Sequence, residues 1–118
     1  MRDMYEVLSR WGVWARDNQG VGYSNIAAGF KGLLPQQSTG KQSCNDDDGL
    51  VIDSCVARLQ KHKPDECDLI IQHHLYGVSL RKIAKRRKCS DGTIRKSMQT
   101  AEGFVGGCLA MLDINLEF

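Results

Sequence analysis

Apolar residues in this chain return at every third or fourth position, and no segment holds a sustained alternation. That periodicity belongs to helices that bury one face, so the expected fold class is all-α, a small helical domain. Over Arg2–Arg16 the inward residues are Met4, Val7, Leu8, Trp11, Trp14 and Ala15. Asp17–Gly22 reads as a turn. Ser24 or Asn25 then caps a short helix with Ile26, Ala27 and Phe30 inside, weakened by Gly29 and Gly32 and closed by Pro35. Gln36–Asp48 is polar and without period, and is expected to be a mobile loop. Asp46, Asp47 and Asp48 lack the alternating ligands and distal glutamate of a calcium loop. They suit the positive end of the next helix, Gly49–Lys61, which buries Leu50 or Val51, Ile52, Cys55, Val56 and Leu59. His62–Pro64 breaks the chain. A helix opening at Pro64 carries Leu69, Ile70, His73, His74 and Tyr76 until Gly77, with both histidines at its surface or partly packed.

The segment with the most specific spacing is Ser79–Gly103. Ser79 is a good N-cap for Leu80–Arg87, whose inner face is Leu80, Ile83 and Ala84. A turn at Lys88–Cys89 leads to Ser90, a second N-cap, and to a helix with Ile94, Met98 and Ala101 inside. A small residue (Ala84), a polar cap (Ser90) and an apolar residue ten positions after the first (Ile94) are the signature of a helix-turn-helix, in which two helices cross tightly. Glycine is usual in the turn, but Lys88 stands there, and a leucine is common where Arg87 stands. A side chain held at positive φ costs on the order of 1 kcal/mol. The sequence therefore leaves two shapes open: a left-handed turn that bears this cost, or a turn of another form.

Charge supports a DNA-binding use of this segment. The net charge is only +2. Residues 1–57 hold five basic and seven acidic side chains, and residues 58–118 hold eleven and seven. Six of the eight residues of Arg81–Lys88 are basic, a density suited to phosphates and also found on solvated helix faces. With Ile94 and Met98 inward, the candidates for reading bases are Asp91, Gly92, Thr93, Lys96 and Gln99. The candidates for holding phosphates are Ser79, Arg81, Lys82, Lys85, Arg86, Lys88, Ser90 and Arg95. A helical hairpin serving a protein interface is the competing use.

Other classes find little support. There is no GxSxG, phosphate loop or HExxH, so no enzyme is expected. Cys44, Cys55, Cys67, Cys89 and Cys108 are odd in number and form no CxxC, and adjacent histidines on a helix diverge by about 100°. Neither a disulfide framework, a metal nor any cofactor is expected. No apolar run approaches the roughly 20 residues that span a bilayer. With no secretory signal at Met1–Leu8, the expectation is a soluble protein that stays in the cytoplasm. Residues Gly103–Phe118 extend the last helix, with Phe104, Cys108, Met111 and Leu112 as a stripe for the core or for a second copy.

Four segments in order, RWGVWA (Arg10–Ala15), SNIAAGFKGLLP (Ser24–Pro35), CNDDDGLVIDSCVARL (Cys44–Leu59) and RKCSDGTIRKSMQTAEGF (Arg87–Phe104), resemble the antitermination protein Q family of lambdoid bacteriophages, in the branch of phage 21 and Shiga-toxin phages. The resemblance covers nearly the whole chain. It implies a factor in the bacterial host cytoplasm that binds double-stranded DNA at the phage late promoter, loads onto host RNA polymerase with its sigma factor, and promotes readthrough of terminators. It also implies a division of labour, with 1–63 as the part meeting polymerase and 64–118 as the DNA-binding region. The zinc element of the phage lambda branch is not carried over, since the CxxC pairs are absent. A second copy on DNA fits a helix-turn-helix. The other reading is a repressor or activator acting at initiation.

Overall fold

The computed structural model describes residues 3–18 and 42–118. The short helix expected over 24–35, the loop residues 36–41 and the turn beyond Asn18 lie outside the described residues. Among the described residues every regular element is helical.

Helix α1 (Met4–Asp17) begins where the Asp3 carboxylate accepts from the backbone N–H groups of Tyr5 and Glu6. It buries Val7, Leu8, Trp11, Trp14 and Ala15 of the face its periodicity assigns, leaves Met4 half-buried, and buries Val13 in addition. Helix α2 (Asp46–His62) is capped by Asn45, whose side chain accepts from the Asp48 N–H at 2.7 Å. Asp46, Asp47 and Asp48 are therefore the first turn of a helix, and the expected loop ends sooner. A polar composition alone does not distinguish a loop from a capped helix start. Two of these acids are bound to other elements. Asp46 accepts from the Trp14 indole N–H at 3.0 Å, and the buried Asp48 accepts from the Glu117 N–H at 2.9 Å. Val51 is half-buried and Leu50 faces solvent, which decides between the two.

Lys63 separates α2 from α3 (Pro64–Ile70), with proline at the first turn. The helix then widens into a π-helical turn, Ile71–Leu75, closed by a Tyr76 N–H bond to the Ile71 carbonyl at 3.1 Å. Gly77 ends it at φ 71°. The wide turn places His74 in the interior and His73 between two partners: the Tyr5 hydroxyl at 2.6 Å and the Val78 carbonyl at 2.8 Å. His73 is partly packed, as its spacing suggested, whereas His74 is more enclosed than expected. α1 clasps this turn. Arg16 donates Nε and Nη2 to the Leu75 carbonyl, both at 3.1 Å, and Gly12 leaves room for the His74 carbonyl.

Helices α4 (Leu80–Arg87) and α5 (Asp91–Leu112) complete the body. α5 runs on past Gly103, and its buried stripe is Ile94, Met98, Ala101, Val105 and Leu109. The adjacent stripe expected there is only partly covered. Phe104 and Cys108 are half-buried, while Met111 is 87% exposed and Leu112 47%. Continuing the steps of three and four from Ala101 leads to Val105 and Leu109, so those two take the core positions. After Asp113 the chain turns back. Leu116 enters the core, and the Arg10 guanidinium stacks over the Phe118 ring at 4.4 Å. One core draws on all five described helices.

Candidate nucleic-acid interface

The segment α4–turn–α5 is built from local rules that the sequence states. The Ser79 hydroxyl oxygen accepts from the Lys82 N–H at 3.1 Å, fixing the start of α4. Ile83 and Ala84 are buried and Leu80 half-buried. At the other end the Cys89 N–H reaches the Ala84 carbonyl at 3.0 Å, and the Lys88 N–H reaches that of Lys85 at 3.2 Å. This pair of bonds is the Schellman ending, which needs a left-handed residue. Lys88 supplies it, at φ 57° and ψ 46°. Of the two shapes the sequence left open, the left-handed turn is the one formed, by a lysine that bears its strain.

Ser90 starts α5. Its hydroxyl oxygen accepts from the Thr93 N–H at 3.1 Å and lies 3.0 Å from the Thr93 hydroxyl. Ile94, Met98 and Ala101 are then buried. Their burial turns Asp91, Gly92, Thr93, Lys96 and Gln99 to solvent, and all five are exposed. Ser79, Arg81, Lys82, Lys85, Arg86, Lys88, Ser90 and Arg95 are exposed as well. Across the turn, Arg81 Nε stands 4.0 Å from Asp91 Oδ2, with side chains 88% and 54% exposed. An ion pair this open contributes little to stability and yields readily to another anion.

A β-carbon placed on Gly92 meets nothing nearer than the Ser90 hydroxyl oxygen at 3.8 Å. Packing within the chain therefore does not require glycine there. Arg87, the basic residue of the run not assigned to phosphate, donates to the Asp65 carbonyl at 3.0 Å. It ties α4 to the first turn of α3. Burial raises the Asp68 carboxyl above the usual range, and the Arg87 charge partly opposes this. Only the packing of α3 beside α4 reveals that role; nothing in the run itself separates Arg87 from its neighbours.

The profile of the phage antitermination protein Q family matches residues 1–117. The chain belongs to that family. It is 50% identical over 118 residues to a probable antitermination protein Q of Acyrthosiphon pisum secondary endosymbiont phage 1, covering 98% of this chain and 80% of the relative. It is 45% identical to a prophage antitermination protein Q homolog of Escherichia coli (strain K12), covering 99% and 93%. It is 44% identical to the antitermination protein Q of Escherichia phage 933W, covering 99% and 82%. No solved structure matches. The resemblance read from four segments thus extends across the chain, and a protein Q is a regulator of transcription rather than an enzyme. No helix among the described residues is long and apolar enough to cross a membrane.

Proposed function

We propose that this protein binds double-stranded DNA at a phage late promoter through α4 and the start of α5. From there it loads onto host RNA polymerase, in contact with its sigma factor, and carries the enzyme through terminators in the host cytoplasm. The observation that carries the reading is the division of α5. Its first turns bury Ile94 and Met98 and present Asp91, Gly92, Thr93, Lys96 and Gln99 beside the exposed basic residues of α4. In a major groove, Lys96 suits guanine O6 and N7, Gln99 suits adenine, and Asp91 suits the cytosine amino group. Gly92 gives the backbone close approach. Arg81, Lys82, Lys85, Arg86, Lys88 and Arg95, with the Ser79 and Ser90 hydroxyls, suit phosphates. The region before Pro64 is left for polymerase. A second copy bound to DNA is compatible with this placement.

Transcription in vitro with host polymerase, from the phage late promoter through an intrinsic terminator, tests the proposal. Readthrough that rises with the number of starts unchanged is the expected result. A change in starts with readthrough unaltered would make the protein an initiation regulator using the same DNA face.

A further inference from the structure

The basic surface of α4 continues onto a second part of the chain. The Arg87 bond to the Asp65 carbonyl, at 3.0 Å, brings the corner between α2 and α3 against the end of α4. The same corner reaches α5, where the His62 and Phe104 rings stand 6.0 Å apart. Lys61 and His62 end α2, Lys63 links it to α3, and all three are exposed. The backbone of the corner is fixed on both sides. The Lys63 N–H donates to the Leu59 carbonyl at 2.7 Å, and the Cys67 N–H donates to the Lys63 carbonyl at 3.0 Å. Leu59 and Cys67 are both buried, so the corner is anchored in the core. Arg58, about one turn earlier on α2, is exposed as well and borders a groove beside Gly103, Phe104 and Gly107 of α5. Among the described residues no carboxylate stands within ion-pair distance of Arg58, Lys61 or Lys63. Asp65 and Glu66 follow in the first turn of α3, where carboxylates suit the positive end of the helix. Lys61 suits the negative end of α2 in the same way, but Lys63 lies past that end and Arg58 before the last turn.

We infer that Arg58, Lys61 and Lys63 form a second phosphate-binding surface, which holds the DNA backbone flanking the base pairs read by α5. The inference rests on the DNA-binding function proposed above and extends it to residues before Pro64. Phe104 follows Gln99 by five positions, about 7.5 Å along a helix axis, so the corner beside Phe104 stands next to the reading surface. A major groove is about 12 Å wide, and a helix that enters it has a sugar–phosphate strand on each side. The corner places its cations on the α2 side of α5, apart from the cations of α4. Each cation that meets a phosphate releases counterions and adds affinity without regard to sequence. Contacts on a second element also fix the angle at which α5 enters the groove. Arg87 acts as the strut between the two basic surfaces and so is a positioning residue.

The test measures binding of the full chain to a duplex carrying the phage late promoter, over a range of salt concentrations, with hydroxyl-radical footprints of the complex. Lys61→Ala combined with Lys63→Ala should lower affinity about tenfold at low salt and reduce the salt slope by about two. An unrelated duplex should lose affinity by the same factor, and the footprint should shrink on one flank while staying unchanged where α5 enters. Adding Arg58→Ala should remove about one more unit of slope. Lys61→Arg with Lys63→Arg should keep the wild-type slope and footprint. Thermal unfolding without DNA checks that each variant is folded, and a role confined to the end of α2 would appear there and leave the slope alone. Wild-type slope and footprint in the double alanine variant overturn the inference and leave the DNA-binding function standing. A loss confined to the promoter duplex overturns it too, because phosphate contacts do not discriminate. Wild-type protein that fails to bind the duplex overturns both.

Discussion

At the scale of single residues, some glycines are demanded by the packing of the fold and others, Gly92 among them, are not. A β-carbon at Gly12 would stand 2.1 Å from the His74 carbonyl oxygen, and one at Gly49 would stand 2.3 Å from the Trp14 ring. Gly12→Ala meets backbone, which cannot swing aside, and should lower stability by about 3 kcal/mol or more in urea unfolding. Gly92→Ala should behave in the opposite way. Alanine gains about 1 kcal/mol in helix propensity, so thermal stability should hold or rise while affinity for promoter DNA falls. Unchanged affinity would remove Gly92 from the proposed contact surface. Lys88 carries a measurable strain, and Lys88→Gly should stabilise by about 0.5–1 kcal/mol. The same change removes a charge, so DNA binding should weaken as the fold strengthens. Burial, with Asp3 nearby, holds the Glu102 carboxyl above its ordinary value of 4.5. The folded state therefore keeps this proton at pH values where the unfolded chain has lost it, and stability falls as pH rises through that interval. Glu102→Gln should raise the melting temperature at neutral pH, with the gain shrinking towards acid.

At the scale of elements, the two faces of α5 make separate predictions. Lys96→Ala should lose discrimination between cognate and altered sites, by about 1–3 kcal/mol, with little change in salt dependence. Lys85→Ala on α4 should weaken binding to all sequences alike and reduce the salt slope by about one. If the two results exchanged places, the assignment of faces would be reversed. The elements also show how far local rules reach. Among the described helices, Asp3, Asn45, Ser79 and Ser90 cap four through their side chains, and Pro64 opens the fifth. Of the four caps, only Ser79 and Ser90 were identified from the sequence. Asn45 does not stand out in the sequence because three carboxylates follow it and compete for the role.

At the scale of the molecule, particular side chains connect distant parts of the described chain. The Trp11 and Trp14 indoles donate to Asp53 and Asp46, the Asp48 carboxylate receives Glu117, and Leu116 closes over the core. Leu116→Ala should cost about 2 kcal/mol and lower the urea midpoint without altering the slope. It should also loosen the C-terminal segment in hydrogen exchange before the rest of the fold yields.

The sequence by itself determined the helical class, the buried face of α1, the inward set of α4 and α5, and the candidate DNA face. Each of these depends on residues a few positions apart. It also carried the family, because segments spread along the chain keep their order. Only the tertiary structure decided that Lys88 adopts the left-handed turn, that the helix after Pro64 widens to enclose His74, and that Arg87 binds Asp65. The same holds for Val105 and Leu109 taking the core in place of Met111 and Leu112. Lys88 closes its turn with bonds inside its own segment, and the sequence left two turn shapes compatible with them. In the other cases the deciding partner lies on another element, or several helices compete for one volume, and no local spacing specifies which side chain fills it.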